Sequence, residues 1–268
     1  MNLQEKVQHL TSNGYEFKFG HYLSKGWELF GKKPGHFIGF FVLTMLMSIV
    51  VAFIPLIGSI AAQILGAILM VGYYVFCQNI KLSTSPSFDD LFKGFSSFGR
   101  IAIIQLILLA FIIVIMLPLF IYGFSVFFSG IFSAIKDPMY YDPTPAEVFQ
   151  MFDFQALIPL MVITYLFLIF IQIIYMFAAP VAHFYQASAW QSMEASRKVI
   201  QKRFFHFFGL IIVLGLINIL GVLCLFVGLL VTIPLTYTTM YAAFDDIFNP
   251  DENSGIEVPD ESFEDRAH

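Results

Sequence analysis

Two acidic pairs, Asp89-Asp90 and Asp245-Asp246, are the side chains whose type and spacing could most readily do chemistry. They sit in matching surroundings, Phe88-Asp89-Asp90-Leu91-Phe92 and Phe244-Asp245-Asp246-Ile247-Phe248. Paired carboxylates can hold a divalent cation through their oxygens. They can also start a helix at its positive end or pair with bases. Lys32, Lys33, Lys202 and Arg203 supply such bases, so the expectation is a charge cluster on one membrane face and no metal site. His21, His36, His183 and His206 fall outside any HExxH, paired-cysteine or carboxylate-histidine spacing, which a zinc or iron centre would need. The two cysteines, Cys77 and Cys224, read as small apolar residues on opposite membrane faces. No cofactor is expected.

A second group is polar but uncharged: Ser48, Gln63, Gln172, Asn218 and Thr232 lie within long apolar runs. Hydrogen bonds between membrane helices are one use for such residues, and a polar lining for a substrate path is the other. Ser48 and Asn218 are expected near mid-membrane. No Asp, Glu, Lys or Arg lies in these runs away from their ends, which argues against a proton-coupled pump. Nucleophile-elbow, Walker and dinucleotide fingerprints are missing from the sequence, and a net charge of −5 does not suggest nucleic-acid binding.

The elements that must position these residues are set by composition. Hydrophobic residues make up 58% of the chain and charged residues 12%, with a mean hydropathy of +0.79, far from a soluble domain. Residues 34–80, 101–135, 154–193 and 204–244 contain no Asp, Glu, Lys or Arg. A helix needs about 20 residues to cross the hydrocarbon layer, so the first and last stretches each hold two spans and the middle two hold one each. Turns at Pro55–Gly58 and near Gly228 give expected spans at 36–56, 59–79, 101–122, 156–179, 206–226 and 229–245. Pro118, Pro180 and Pro234 are expected to interrupt or end spans. The expected fold class is therefore all-α, a polytopic integral membrane bundle of six transmembrane helices.

Basic loops stay on the cytoplasmic side. Lysines and arginines before span one, at 81–100 and at 197–203 share one face under a six-span count, and Lys136 alone falls on the other. Both termini are then cytoplasmic. Sliding the sequence by 170 residues aligns Lys32-Lys33-Pro34-Gly35-His36-Phe37 with Lys202-Arg203-Phe204-Phe205-His206-Phe207 and brings Gly58 onto Gly228. The expectation is a parallel internal repeat of helical hairpins, spans 1-2 and 5-6.

Residues 1–35 form the expected cytoplasmic interfacial region, with Phe19, Leu23, Trp27 and Phe30 as the lipid-facing stripe of an amphipathic helix. Residues 87–98 repeat the idea with Phe88, Leu91, Phe92, Phe95 and Phe98. The membrane domain then covers 36–249. Residues 250–268 carry seven acidic side chains and are expected to be a disordered cytoplasmic tail.

Gly26-Trp27-Glu28-Leu29-Phe30, the Ile54-Pro55-Leu56-Ile57-Gly58 turn and Phe88-Asp89-Asp90-Leu91-Phe92-Lys93-Gly94-Phe95 make the chain resemble bacterial six-span membrane proteins of the YciC-like group. It is also similar to the membrane extension of some glycerophosphodiester phosphodiesterases, without their catalytic barrel. The resemblance implies a bacterial inner-membrane location and supplies no catalytic residues. Three function classes remain: a scaffold or envelope-maintenance protein, which leads; a carrier for lipid or small apolar molecules; and an intramembrane enzyme. The lipid bilayer is the expected partner, with a protein partner conceivable at the cytoplasmic face and the oligomeric state left open.

Overall fold

The computed structural model describes residues 2–55, 57–82, 84, 86–136 and 154–248, and these are helical throughout their regular elements. The acidic tail expected at 250–268 and the loop at 137–153 lie outside the described residues. In chain order the helices are α1 (Leu3–Ser12), α2 (Phe19–Lys32), α3 (Pro34–Ala52), α4 (Gly58–Lys81), a 3-10 helix (Phe88–Ser97), α5 (Phe98–Lys136), α6 (Phe154–Ile174), α7 (Ala178–Phe184), α8 (Ala189–Lys202), α9 (Phe204–Leu223) and α10 (Leu229–Phe248). Two compact units result: Met1–Gln105 with Ile174–His268, and Leu106–Ile173.

Among the described residues, five helical stretches are long and apolar enough to cross a membrane: Pro34–Ala52, Gly58–Lys81, Phe88–Gly130, Leu157–Phe184 and Phe204–Leu223. Their burial decides what solvent they need. Inside Phe88–Gly130 only 11% of the apolar window is covered by protein, and inside Phe204–Leu223 only 22%. Side chains such as Val114, Phe120, Leu216 and Leu223 are therefore exposed, and at about 25 cal/mol per Å² water is a costly neighbour for so much apolar surface. Lipid removes that cost. This is the pattern of a multi-pass membrane protein.

The sixth expected span, 229–245, is helical as α10, yet it is less apolar than the other five. The reason is its position inside the bundle. Thr238, Thr239, Tyr241, Ala242, Ala243 and Phe244 are buried, so this helix faces protein rather than lipid and can carry hydroxyls. α2 and α4 both pack against it.

Several boundaries differ from the sequence reading. The long stretch 101–135 was expected to hold one span plus a separate interfacial piece. Instead α5 runs unbroken for 39 residues, with Pro118 inside it. At 1.5 Å per residue that is about 58 Å, well beyond the roughly 30 Å of hydrocarbon. Pro234 likewise lies within α10, and Pro180 within α7. The expected span 156–179 falls within the stretch Leu157–Phe184, in which α6 ends at Ile174 and the short helix α7 follows after a turn.

Residues 1–35 form two helices rather than one, because Gly14 adopts φ +73, a left-handed conformation that ends α1. Of the stripe expected to face lipid, Phe30 turns inward, while Phe19 and Leu23 are half-buried and Trp27 stays outside. α2 buries Tyr22, Gly26, Leu29 and Phe30 at helical spacing and leaves Trp27 58% exposed. Similarly, 87–98 contains a 3-10 helix whose period of three residues places Leu91, Gly94 and Ser97 on the inner face and Phe92 and Phe95 outside.

The two hairpins share local geometry at a spacing of 170 residues. α2 and α8 have corresponding ends. At the first junction the amide of His36 donates to the Lys33 carbonyl at 3.0 Å, and at the second that of His206 donates to the Arg203 carbonyl at 2.9 Å. At the turns, a Cβ on Gly58 would sit 2.6 Å from the Val51 carbonyl oxygen and one on Gly228 2.8 Å from that of Gly221. Both turns need glycine for close approach rather than for a left-handed φ.

Candidate functional site

The polar groups of the first unit gather where the ends of α2, α4, α10 and the 3-10 helix meet. Asp90 is 1% exposed. It closes a capping box with Ser87, whose backbone N–H donates to its Oδ2 at 3.1 Å, while Asn79 Nδ2 donates to the same oxygen at 2.8 Å. Lys93 pairs with the other carboxylate oxygen. Asp89, its neighbour, points away and is exposed.

The second acidic pair is divided between partners. Asp245 Oδ1 lies 2.8 Å from Lys81 Nζ. Asp246 Oδ1 lies 3.1 Å from Lys18 Nζ, and its Oδ2 accepts from the Tyr22 hydroxyl at 2.8 Å. Burial, followed by the nearby Asp246 carboxylate, holds the Tyr22 phenol above its ordinary range. The last turn of α4 thus serves both pairs, with Asn79 on Asp90 and Lys81 on Asp245.

These are not the partners expected from sequence. Lys32 pairs with Glu28 at 3.1 Å within its own helix, and Arg203 Nε donates to the Tyr15 carbonyl at 3.2 Å. Lys33 and Lys202 are exposed. All four basic residues sit at the α2–α3 and α8–α9 junctions, whereas the aspartates sit at the end of α10 and beside the end of α4. Asp90, Asp245 and Asp246 are each neutralised by a different lysine while Asp89 faces outward, and no group of three or more His, Cys, Asp or Glu among the described residues could hold a metal ion.

The uncharged polar residues are only partly brought together. Asn218 Nδ2 donates to the Leu214 carbonyl and to Thr236 Oγ1, both at 3.0 Å, and Thr236 Oγ1 donates to the Thr232 carbonyl at 2.9 Å. Because the Thr236 proton is committed to Thr232, the Asn218 amide must present its NH₂ to Thr236, which fixes its orientation. Ser48 is half-buried on α3 and is not part of this chain of bonds; Gln63 is exposed on α4, and Gln172 is exposed on α6 in the other unit. An open pocket of about 280 Å³ adjoins Asn218, lined also by Met176, Leu214, Thr236 and Met240.

Between the hairpins the junction of α4 with α10 is filled by rings. Tyr73 stacks on Tyr237 with centroids 4.6 Å apart, and Tyr74 meets Tyr241 and Phe244 at 5.6 Å each. Tyr73, Tyr74, Tyr241 and Phe244 are at most 1% exposed. Such edge and offset contacts add about 0.5–1.5 kcal/mol per pair beyond burial.

Close backbone crossings hold the polar layer in place, and they were not read from sequence. A Cβ on Gly72 would lie 2.0 Å from the Leu91 carbonyl oxygen, and one on Gly94 would lie 2.1 Å from that of Ile68, so α4 and the 3-10 helix touch backbone to backbone. The available signal was a glycine on the inner face of each amphipathic pattern. A further lock joins Ser97 and His183, whose Oγ and Nδ1 are 3.1 Å apart. The carbonyls that end α7 are satisfied by Arg100 Nη1 on Ala182 at 3.2 Å and Gln186 Nε2 on His183 at 2.7 Å. Gln186 takes φ +50 to make this possible. The cluster caps a helix.

Besides these clusters, a groove of about 400 Å³ lies between α1 and α8, open to solvent and walled by Trp190. Compared with models of protein families, with curated proteins and with solved structures, the chain matches none of them.

Proposed function

We propose that this chain is a multi-pass scaffold of the bacterial inner membrane with a structural or envelope-maintenance role. Six spans cross the bilayer, α10 being the sixth, and both termini lie in the cytoplasm with the basic segments at 81–100 and 197–203. The hairpins α3–α4 and α9–α10 descend from one duplicated unit. The shared junction hydrogen bonds and turn contacts at a spacing of 170 residues support that origin. The outward phenylalanines of the 3-10 helix and Trp27 sit at headgroup depth and anchor the cytoplasmic edge. The resemblance to YciC-like proteins supports the choice of membrane.

The observation that carries the scaffold reading is the ring-filled α4–α10 junction. A carrier needs a path between halves that opens and closes, whereas stacked tyrosines with neutralised charges at one end favour a fixed assembly. In vesicles containing the purified protein, a fluorescent phospholipid analogue should cross the bilayer no faster than in empty vesicles. Acceleration abolished by Asn218→Leu would overturn the reading.

That outcome would favour the second reading, a carrier for lipid or small apolar molecules, which draws on the pocket of about 280 Å³ beside Asn218.

A further inference from the structure

Arg100, the last charged residue before the uncharged run of residues 101–135, is half-buried where α5 leaves the 3-10 helix. Its guanidinium is held by neutral acceptors. Nη1 donates to the Ala182 carbonyl at 3.2 Å, and Nη2 donates to Gln186 Oε1 and, at 3.5 Å, to Ser97 Oγ. These bonds hold the group in place without offsetting its charge. Lys81 and Arg197 are also half-buried, yet each has a carboxylate at 2.8 Å, Asp245 and Glu194 respectively. Among the described residues no carboxylate bonds Arg100, and of its five N–H groups the one on Nε and one on Nη1 have no partner there. A cation half out of water is costly without a counter-ion.

The surroundings select the kind of anion. Ile101 and Ile104 are buried, whereas Ile103, one turn below Arg100, is 52% exposed. Gly99, beside Arg100, is exposed, and a Cβ there would meet nothing within 4 Å. Arg100 thus sits at the edge between the packed and the open face of α5, with free space at the level of its own charge. In a helix that enters the hydrocarbon just below, the open side is lipid, and its last basic residue lies at headgroup depth. A soluble phosphate would answer the charge and leave the apolar strip bare. A phospholipid does both, with its phosphodiester at the guanidinium and an acyl chain along Ile103.

We propose that Arg100 is the headgroup site of one specifically held anionic phospholipid. The two free N–H groups donate to phosphate oxygens, and such charge-assisted bonds are roughly twice as strong as neutral ones. A zwitterionic lipid fits less well, because its own ammonium group already answers the phosphate charge. The assignment requires α5 to enter the bilayer at Arg100, and it holds for scaffold and carrier alike.

The test counts the lipid retained by the full chain in detergent, by native mass spectrometry, after adding phosphatidylglycerol or phosphatidylcholine with the same acyl chains. Phosphatidylglycerol is expected to be retained several-fold more than phosphatidylcholine. Arg100→Gln should remove that preference and Arg100→Lys should keep most of it. Lys33→Gln, at an exposed lysine of the α2–α3 junction, should leave it unchanged. A phosphatidylglycerol with a photoreactive diazirine on its headgroup should label the wild type within residues 93–105 or 178–186, which locates the site even if the Arg100→Gln chain does not fold. Equal retention of the two lipids would overturn the proposal. So would a preference that survives Arg100→Gln or falls as far with Lys33→Gln, displacement of the lipid by inorganic phosphate, or labelling confined to other segments. Lipid flux, which tests the scaffold reading, does not enter these readouts.

Discussion

Gly26 of α2 lies directly on Thr239 of α10: a Cβ at position 26 would be 2.3 Å from Thr239 Oγ1 and 2.7 Å from its Cα. The crossing lets an N-terminal amphipathic helix seat against the interior helix of the bundle, carrying Tyr22 within reach of Asp246. Gly26→Ala should cost about 1–3 kcal/mol through overpacking, seen as a lower melting temperature in detergent. Gly20→Ala and Gly31→Ala, whose added Cβ meets nothing within 4 Å, should be neutral or slightly stabilising.

Asp90 and Asp89 are adjacent in sequence and opposite in environment. Asp90→Ala strips the capping box and leaves the Asn79 amide without its acceptor, while the exposed Lys93 returns to solvent, so a loss of about 1–2 kcal/mol is expected. Asp89→Ala should change stability by no more than about 0.5 kcal/mol. Equal effects in parallel thermal melts would contradict the placement.

Glu194 sets a modest pH dependence. The Arg197 guanidinium, which bonds both its oxygens, and then Lys198 hold its carboxyl below the ordinary value of 4.5. A depressed folded pKa means that its stabilisation is present above 4.5 and is lost as pH falls through the lower folded value. The side chain is about one-third exposed, so solvent screening limits the effect to a few tenths of a kcal/mol. Denaturation of the wild type and of Glu194→Gln should differ at pH 7 and draw together as the pH is lowered below 4.5.

Cysteine chemistry separates the two ends of the hairpins. Cys77 is buried and Cys224 is exposed at the α9–α10 turn, both as free thiols. In detergent a maleimide should label Cys224 and leave Cys77 unreacted until the protein is denatured. Prompt labelling of Cys77 in the folded protein would be inconsistent with its packing.

Much of the architecture was legible because lipid imposes a simple rule: long runs free of charge must be helices that satisfy their own backbone. Residues 36–56 and 206–226 were found within a few residues of α3 and α9, and the turns at Pro55–Gly58 and near Gly228 were marked by proline and glycine. What sequence did not reveal was which face of a helix packs against its neighbours. In α2 both the Phe19-Leu23-Trp27 stripe and the Tyr22-Gly26-Leu29 stripe are apolar, and only the fit of Gly26 to Thr239 decides between them. The 3-10 winding of residues 88–97 hid the inner face of that segment for the same reason. Asp245 was recognisable as a notable charge, but its pairing with Lys81 depends on where α4 and α10 end relative to each other, which no local pattern encodes.

The central claim is that these helices cross a bilayer with the basic segments all on one side. Single cysteines in a Cys77→Ser, Cys224→Ser background, placed at Asn13, Thr84, Tyr140 and Ser188, can be probed with a membrane-impermeant maleimide in sealed vesicles of known orientation. The account predicts that positions 13, 84 and 188 react from the cytoplasmic side and position 140 only from the opposite side. Labelling of position 140 from the same side as position 188 would contradict it.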